Sequence, residues 1–277
     1  MGMKVAIIMN PISGNLNWEG KLKRAQLASR RFERLFYNIK VDKIFDVPTT
    51  SKEEFCSQIK EVSEKCEYLL VGGGCGTAGN AFSNIYKNCT LGYIPLGSGN
   101  SLERALFLHR LNKGKRFIES DVLVDEFDEK RCLYIGAGID GFFINESNKY
   151  KEKGWKGTSR YFPSILNIGR SKETDLEIKI DGCSYGVKSA KMIYIGKHPI
   201  IAGVFPFLPE AKFDDGLFHC KILNKWYYPT DVIKGNKIDI EFSDEQYVQR
   251  DGDIAGKRKS LNVYVEKKAV KLLTAKL

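Results

Sequence analysis

Tyr68-Leu69-Leu70-Val71-Gly72-Gly73-Gly74-Cys75-Gly76-Thr77 is an apolar strand candidate emptying into a glycine-rich turn, and a helix-like run from Ala78 to Lys87 follows at once. A strand end, a glycine turn and a helix N-terminus together present backbone N–H groups with no Cβ in front of them. That arrangement suits an anion, and a phosphate above all. Upstream, Lys4-Val5-Ala6-Ile7-Ile8-Met9 is a continuous apolar run of the kind buried on both faces of a parallel sheet. Trp18 to Tyr37 carries apolar residues at helical spacing (Leu22, Ala25, Phe32, Leu35, Phe36), and Val41 to Phe45 reads as a second strand. Ser51-Lys52-Glu53-Glu54 has capping-box spacing ahead of a helix that reaches roughly Lys65. Leu91 to Pro95 is one more short strand. Strands alternating with helices predict a doubly wound α/β sheet, in which ligands bind beyond the carboxyl ends of the strands.

After about Phe117 the period changes. Leu176, Ile178 and Ile180 alternate with charged residues before Asp181-Gly182, and Ile238, Ile240 and Phe242 alternate likewise, which predicts antiparallel β structure. The closing stretch, Ala269 to Leu277, is apolar enough to dock back on the first domain.

The chain has 277 residues and a formal net charge of +10, which suits an anionic partner such as a nucleotide, an acidic lipid surface or nucleic acid without choosing among them. Seven cysteines, with no CxxC pair, argue against a disulfide framework and a zinc site, and fit a reducing cytosol. No apolar stretch approaches the roughly 18 residues that a membrane span requires. The expectation is a soluble protein able to visit a membrane surface. His109, His198 and His219 follow no metal spacing and receive no role.

Four glycine loops carry the functional signal: Asn10-Pro11-Ile12-Ser13-Gly14, Gly72 to Thr77, Leu96-Gly97-Ser98-Gly99-Asn100, and Gly136-Ala137-Gly138-Ile139-Asp140-Gly141. In a parallel sheet the first three leave on one edge. Their amides, with the hydroxyls of Ser13, Thr77 and Ser98 and the side-chain amides of Asn10 and Asn100, form a polyphosphate site if they meet; singly, each glycine serves only a tight turn. Gly74 to Gly79 matches GxGxxG, but it follows the third strand and has no acidic residue about 20 positions later. A Walker-type loop fails because Leu22 stands where Ser or Thr is required.

The ordered set Asn10-Pro11-Ile12-Ser13-Gly14, Gly73-Gly74-Cys75-Gly76-Thr77 and Pro95-Leu96-Gly97-Ser98-Gly99-Asn100 resembles the diacylglycerol kinase catalytic domain family, which also holds sphingosine, ceramide and bacterial lipid kinases. Similarity continues through Gly138-Ile139-Asp140, Asp214-Asp215-Gly216-Leu217 and Asp251-Gly252-Asp253. The resemblance implies a fold like that of NAD kinases and diacylglycerol kinases. A doubly wound α/β ATP-binding domain would span residues 1–117, with 267–277 docking back, and an antiparallel β-sandwich lipid-substrate domain would span 118–266, the active site lying in the cleft.

By the same resemblance Asn10, Ser13, Gly73, Gly74, Gly76, Thr77, Gly97, Ser98, Gly99 and Asn100 hold the phosphates of ATP. Asp253 is the general-base candidate, with Asp251 and Cys75 at the catalytic positions, and Asp215, Leu217 and Lys212 belong to a loop that is similar to the structural Mg²⁺ loop of bacterial members. The implied reaction is transfer of the γ-phosphate to a lipid hydroxyl, of diacylglycerol or sphingoid type, using ATP and Mg²⁺. The implied partner is lipid at an anionic membrane surface and not nucleic acid, for a cytoplasmic, peripherally bound protein with a homodimer as candidate assembly. Arg104 stands where it could touch a phosphate, and Trp155, Phe162, Phe205 and Phe207 either line an acyl-chain pocket or belong to core.

The chain departs from the family pattern at the chemistry itself. Cys75 replaces the aspartate of GGDGT, Asn80 replaces a glutamate, and Ser101 and Glu103 replace an aspartate and an alanine after the third loop. A neutral thiol is a poor ligand for hard Mg²⁺ and a poor base at neutral pH. The alternative to an active lipid kinase is therefore a catalytically weakened, nucleotide-binding or regulatory protein of the same fold.

Overall fold

The computed structural model describes residues 4–37, 39–97, 99–155, 159, 161–201, 205–225, 228–229 and 231–277. It separates into two compact units, one of Met1–Ser120, Ile200–Phe205 and Lys268–Leu277, the other of Asp121–Pro199 and Pro206–Lys267.

The first unit is α/β. Its elements are β1 (Val5–Met9), α1 (Trp18–Leu35), β2 (Lys43–Ile44), α2 (Lys52–Ser63), β3 (Tyr68–Gly73), α3 (Cys75–Asn84), β4 (Thr90–Pro95) and α4 (Ser101–Lys113), and β5 (Phe117–Asp125) leads out of it. All five residues of β1 are buried, as a strand covered on both faces requires. β1 pairs in parallel with β2 on one side and β3 on the other, and β3 pairs in parallel with β4. α1 starts where Asn17 accepts from Gly20 N at 2.9 Å, and α2 starts where Ser51 Oγ accepts from Glu54 N at 3.1 Å. Glu54 reaches back to Thr50 N at 2.6 Å. Phe32 of α1 packs with Val5, Ile7, Leu70, Ile94 and the C-terminal Leu273 and Leu277 into one core.

The second unit is built from β6 (Lys130–Cys132), β7 (Tyr134–Gly138), α5 (Ile139–Glu152), α6 (Tyr161–Asn167), β8 (Thr174–Ile180), β9 (Cys183–Ala190), β10 (Met192–Gly196), β13 (Phe218–Lys225), β14 (Tyr228–Pro229), β15 (Ile233–Gly235), β16 (Lys237–Arg250) and β17 (Asp253–Leu273); of the two-residue strands that lie between β10 and β13 in sequence, β11 (Ile200–Ile201) belongs to the first unit and β12 (Phe205–Pro206) falls at the boundary. Its strands pair antiparallel in the order β13, β10, β7, β16, with β8 and then β9 added beside β16 and β17 forming a long hairpin with β16. β8 alternates buried Leu176, Ile178 and Ile180 with less buried residues, and Ile238, Ile240 and Phe242 of β16 meet them in one apolar core. β17 continues into the first unit, where Lys271 and Leu272 pair in parallel with Thr90 and Leu91. The fold is thus α/β plus β-rich.

Two elements depart from the reading by period. α5 and α6 interrupt the β half; the buried residues of α5 are Gly141, Glu146 and Ser147, none of them a large apolar residue, so the helix carries little apolar periodicity to betray it. Gly141 is required there: a Cβ would lie 1.9 Å from the Tyr247 carbonyl oxygen. α3 begins at Cys75 and not at Ala78, taking the glycine turn into its first helical turn.

Candidate functional site

The three N-terminal loops meet. Asn10 N donates to Gly72 O at 2.8 Å and Leu96 N to Gly73 O at 2.8 Å, so the first and third loops both hang on the end of β3. Asn10 Nδ2 donates to Thr77 Oγ1 at 2.9 Å, while its Oδ1 accepts from Ile12 N at 3.0 Å and shapes the first loop. The glycines are there for approach: a Cβ on Gly97 would lie 2.9 Å from Gly74 Cα, and one on Gly14 only 2.1 Å from Leu96 O. Gly14 also has φ +69°, a conformation that side chains disfavour. Ser13 Oγ lies 3.5 Å from where a Cβ of Gly74 would be.

The contact surface is therefore main chain, wrapped around the N-terminus of α3, whose N-cap Gly74 offers no side-chain acceptor to the first turn. Gly76 and Thr77 lie in that turn, and Gly99 lies just before α4. Asn100 caps α4 in the left-handed region at φ 50°, and its Oδ1 is buried without a hydrogen-bond partner among the described residues. A glycine cradle of main-chain N–H groups at a helix dipole fits a phosphate chain, whereas the unpartnered Asn100 Oδ1 is an acceptor and calls for a donor or a cation. Ser98 lies outside the described residues.

One contributor escaped sequence reasoning. Lys21 of α1 is buried, donates from Nζ to the Pro11 carbonyl, and has its pKa lowered by desolvation. It sets a basic group behind the first loop. A Lys four residues after an N-cap Asn is the trace it leaves in sequence, and such lysines are usually solvent-exposed. Arg104 is exposed on α4, and Cys75, half-buried, is the first residue of α3.

In the second unit the Asp251-Gly252-Asp253 turn joins β16 to β17. Asp251 is a correction to the catalytic reading: it is 3% exposed, and its carboxylate accepts from Leu133 N at 3.1 Å and Tyr134 N at 3.0 Å. Burial pushes its pKa up to about 8 against the opposing pull of those amides. It ties the turn to β7 and is not presented to a substrate. Asp253 is half-buried at the start of β17.

Gln249 holds the same turn, accepting from Gly252 N at 2.8 Å and donating to Asp140. Asp140 is the third residue of the Gly138-Ile139-Asp140 motif, and burial raises its pKa to about 6, the Gln249 bond opposing. The motif and the turn are thus one hydrogen-bonded assembly, a link that their separation along the chain conceals.

The loop expected to bind a metal is also corrected. Asp215 and Leu217 do come together, but around the ammonium of Lys197, which stands 2.7 Å from Asp215 Oδ1 and 2.5 Å from Leu217 O. Lys212 has an exposed side chain. His219, to which sequence reasoning gave no role, sets Nε2 2.7 Å from Asp215 Oδ2. Burial acts to raise the Asp215 pKa, but bonds from His219 and Lys197 prevail and hold it well below the usual carboxylate range. These residues do not fit a divalent ion as they stand, and no group of three or more His, Cys, Asp or Glu among the described residues could hold one.

Residues 4–125 match the family model described as diacylglycerol kinase catalytic domain. Curated proteins named diacylglycerol kinase from Staphylococcus aureus strains bovine RF122 / ET3-1 and MRSA252 are each 25% identical over 236 residues, covering 81% of this chain and 72% of theirs. Among solved structures, a diacylglycerol kinase from Bacillus anthracis is 18% identical with a TM-score of 0.73, over 98% of this chain and 97% of that one. An NAD kinase from Archaeoglobus fulgidus, solved in complex with ATP, is 13% identical with a TM-score of 0.50, over 98% of this chain and 93% of that one. The family that the three loops resemble is thus the diacylglycerol kinase catalytic domain family, matched by its model across the α/β sheet strands and the loops between them.

Proposed function

We propose that the protein is an ATP-dependent lipid kinase that transfers the γ-phosphate to a hydroxyl of diacylglycerol or a sphingoid lipid, with a chemical step slowed by Cys75. The observation that carries this reading is the meeting of three glycine loops in one main-chain cradle at the N-terminus of α3. The kinase names of the relatives and the ATP complex of the NAD kinase support a nucleotide as its guest.

In this reading Gly73, Gly74, Gly76, Thr77, Gly97, Gly99, Asn10, Ser13 and Asn100 hold the triphosphate, with Lys21 behind the first loop. The lipid hydroxyl attacks the γ-phosphorus in line, the new O–P bond forms as the bond to the β,γ-bridging oxygen breaks, and ADP leaves. The hydroxyl proton passes to Asp253, positioned by the turn that Gln249 and Asp140 hold. Mg²⁺, when bound on the triphosphate, supplies charge neutralisation; Asn10, Ser13, Cys75, Thr77 and Asn100 bring no carboxylate to it.

No helix among the described residues is long and apolar enough to cross a membrane. Membrane contact is proposed to be peripheral, driven by the net charge of +10 and by the outward apolar residues of α6: Phe162, Ile165 and Leu166 are 69%, 57% and 73% exposed. Trp155 and Phe205 are exposed too, which removes them from any core. Pairing Phe162→Asp with Leu166→Asp should reduce sedimentation with vesicles containing anionic lipid, and unchanged sedimentation excludes α6 as the contact.

The deciding experiment measures ATP affinity beside phosphate transfer to diacylglycerol, sphingosine and ceramide, for the protein and for Cys75→Asp. Slow transfer to one lipid is expected, rising by about 10²–10⁴-fold in the variant, the scale of a restored acid–base group. Tight ATP binding without transfer by either protein favours the catalytically silent, regulatory reading. Loss of ATP binding altogether ends both.

A further inference from the structure

Lys197 follows β10 directly and is completely buried. The antiparallel register of β10 and β13 sets Gly196 opposite His219, which carries Lys197 alongside the chain entering β13. Its backbone N–H is fixed to Leu133 O at 2.8 Å. Its ammonium has three N–H donors and meets three oxygens: Asp215 Oδ1 at 2.7 Å, Leu217 O at 2.5 Å and Asp121 Oδ2 at 3.1 Å.

The loop is tied through the same carboxylates. Gly216 N donates to Asp121 Oδ2 at 2.7 Å, Leu217 N to Asp215 Oδ1 at 3.2 Å, and the His219 ring meets Asp215 Oδ2 at 2.7 Å. Two carboxylates and a main-chain carbonyl converging on one point are the oxygen set that a hard cation takes. Here the chain supplies the cation itself. A Mg²⁺ ion needs oxygens at about 2.0–2.1 Å, so it would have to occupy the position of Nζ.

We propose that the Lys197 ammonium is a built-in substitute for a structural divalent cation, so that the 214–217 loop is locked without metal and becomes a divalent site only when the ammonium is removed. This stands whether or not the chain transfers phosphate.

The test needs no substrate. The unfolding temperature of the nucleotide-free protein should be the same in EDTA and in millimolar MgCl2, and Mn²⁺ followed by electron paramagnetic resonance should show no binding that Asp215→Asn abolishes. Lys197→Ala should unfold at a lower temperature in EDTA, recover part of the loss with MgCl2, and bind one equivalent of Mn²⁺ that a second change, Asp215→Asn, removes. Stabilisation of the unmodified protein by MgCl2 that Asp215→Asn abolishes overturns the proposal, as does a Lys197→Ala protein that folds and binds no Mn²⁺. Should Lys197→Ala not fold in EDTA, expression and refolding with MnCl2 supply the same readout, and the unmodified protein decides by itself.

Discussion

The glycine cradle of the first unit and the Lys197 cluster of the second are both loops at strand ends, yet they treat charge in opposite ways. The cradle is made of backbone, neutral amides and hydroxyls, and among the described residues the buried Asn100 Oδ1 has no hydrogen-bond partner. In the cluster every ammonium donor has its acceptor within the chain. One is finished by something from outside, the other by its own side chain. A buried ion set gains specificity of geometry at a desolvation cost, whereas a main-chain cradle exerts its pull only on a ligand that brings the charge.

The hardest way to break this contrast is Lys197→Ala, which strands two carboxylates. A loss of about 3–5 kcal/mol is expected in urea unfolding without metal, the cost of removing one partner from a buried pair. A loss under 1 kcal/mol would mean that the cluster is solvated. Next comes Gly14→Ala, where a Cβ meets Leu96 O in a left-handed conformation. Strain of about 1–3 kcal/mol should show in the melting curve, with ATP binding weakened about tenfold; a neutral variant would place the first loop outside the binding site.

Asp251 sharpens the contrast through pH. Its folded pKa of about 8 lies above the ordinary carboxylate value of roughly 4. Between those values the folded state holds a proton that the unfolded chain has lost. Its contribution to stability is therefore full below about pH 4 and is lost as pH rises through about 8. Asp251→Asn should flatten that part of the stability profile, by on the order of 1 kcal/mol per pH unit across the window. A profile unchanged by the substitution would show that the Leu133 and Tyr134 amides keep the carboxylate ionised. The smallest effect is expected from Asn10→Ala, which removes one hydrogen bond to Thr77 and should cost about 1 kcal/mol, together with a modest loss of ATP affinity.

Much of the first unit could be read directly, because a strand buried on both faces must be apolar throughout and a helix start needs its cap. Val5–Met9 and Ser51 carry those marks without reference to anything distant. The second unit hid its helices because the residues that α5 buries are Gly141, Glu146 and Ser147, which have no hydrophobic period. α3 started early because the glycine turn is held in helical form by its neighbours, against the low propensity of Gly76 and Gly79.

What the sequence determined alone was the order of the first four strands with the helices and glycine turns between them, since period, capping and turn chemistry act over a few residues. The tertiary structure decided that Asp251 faces inward, that Asp140 and Gln249 serve one turn, and that Lys197 fills the 214–217 loop. Asp121 and Lys197 lie well before the 215–219 segment along the chain and become its neighbours through strand register and long-range packing. Burial and charge pairing are properties of that neighbourhood, so no local pattern could announce them.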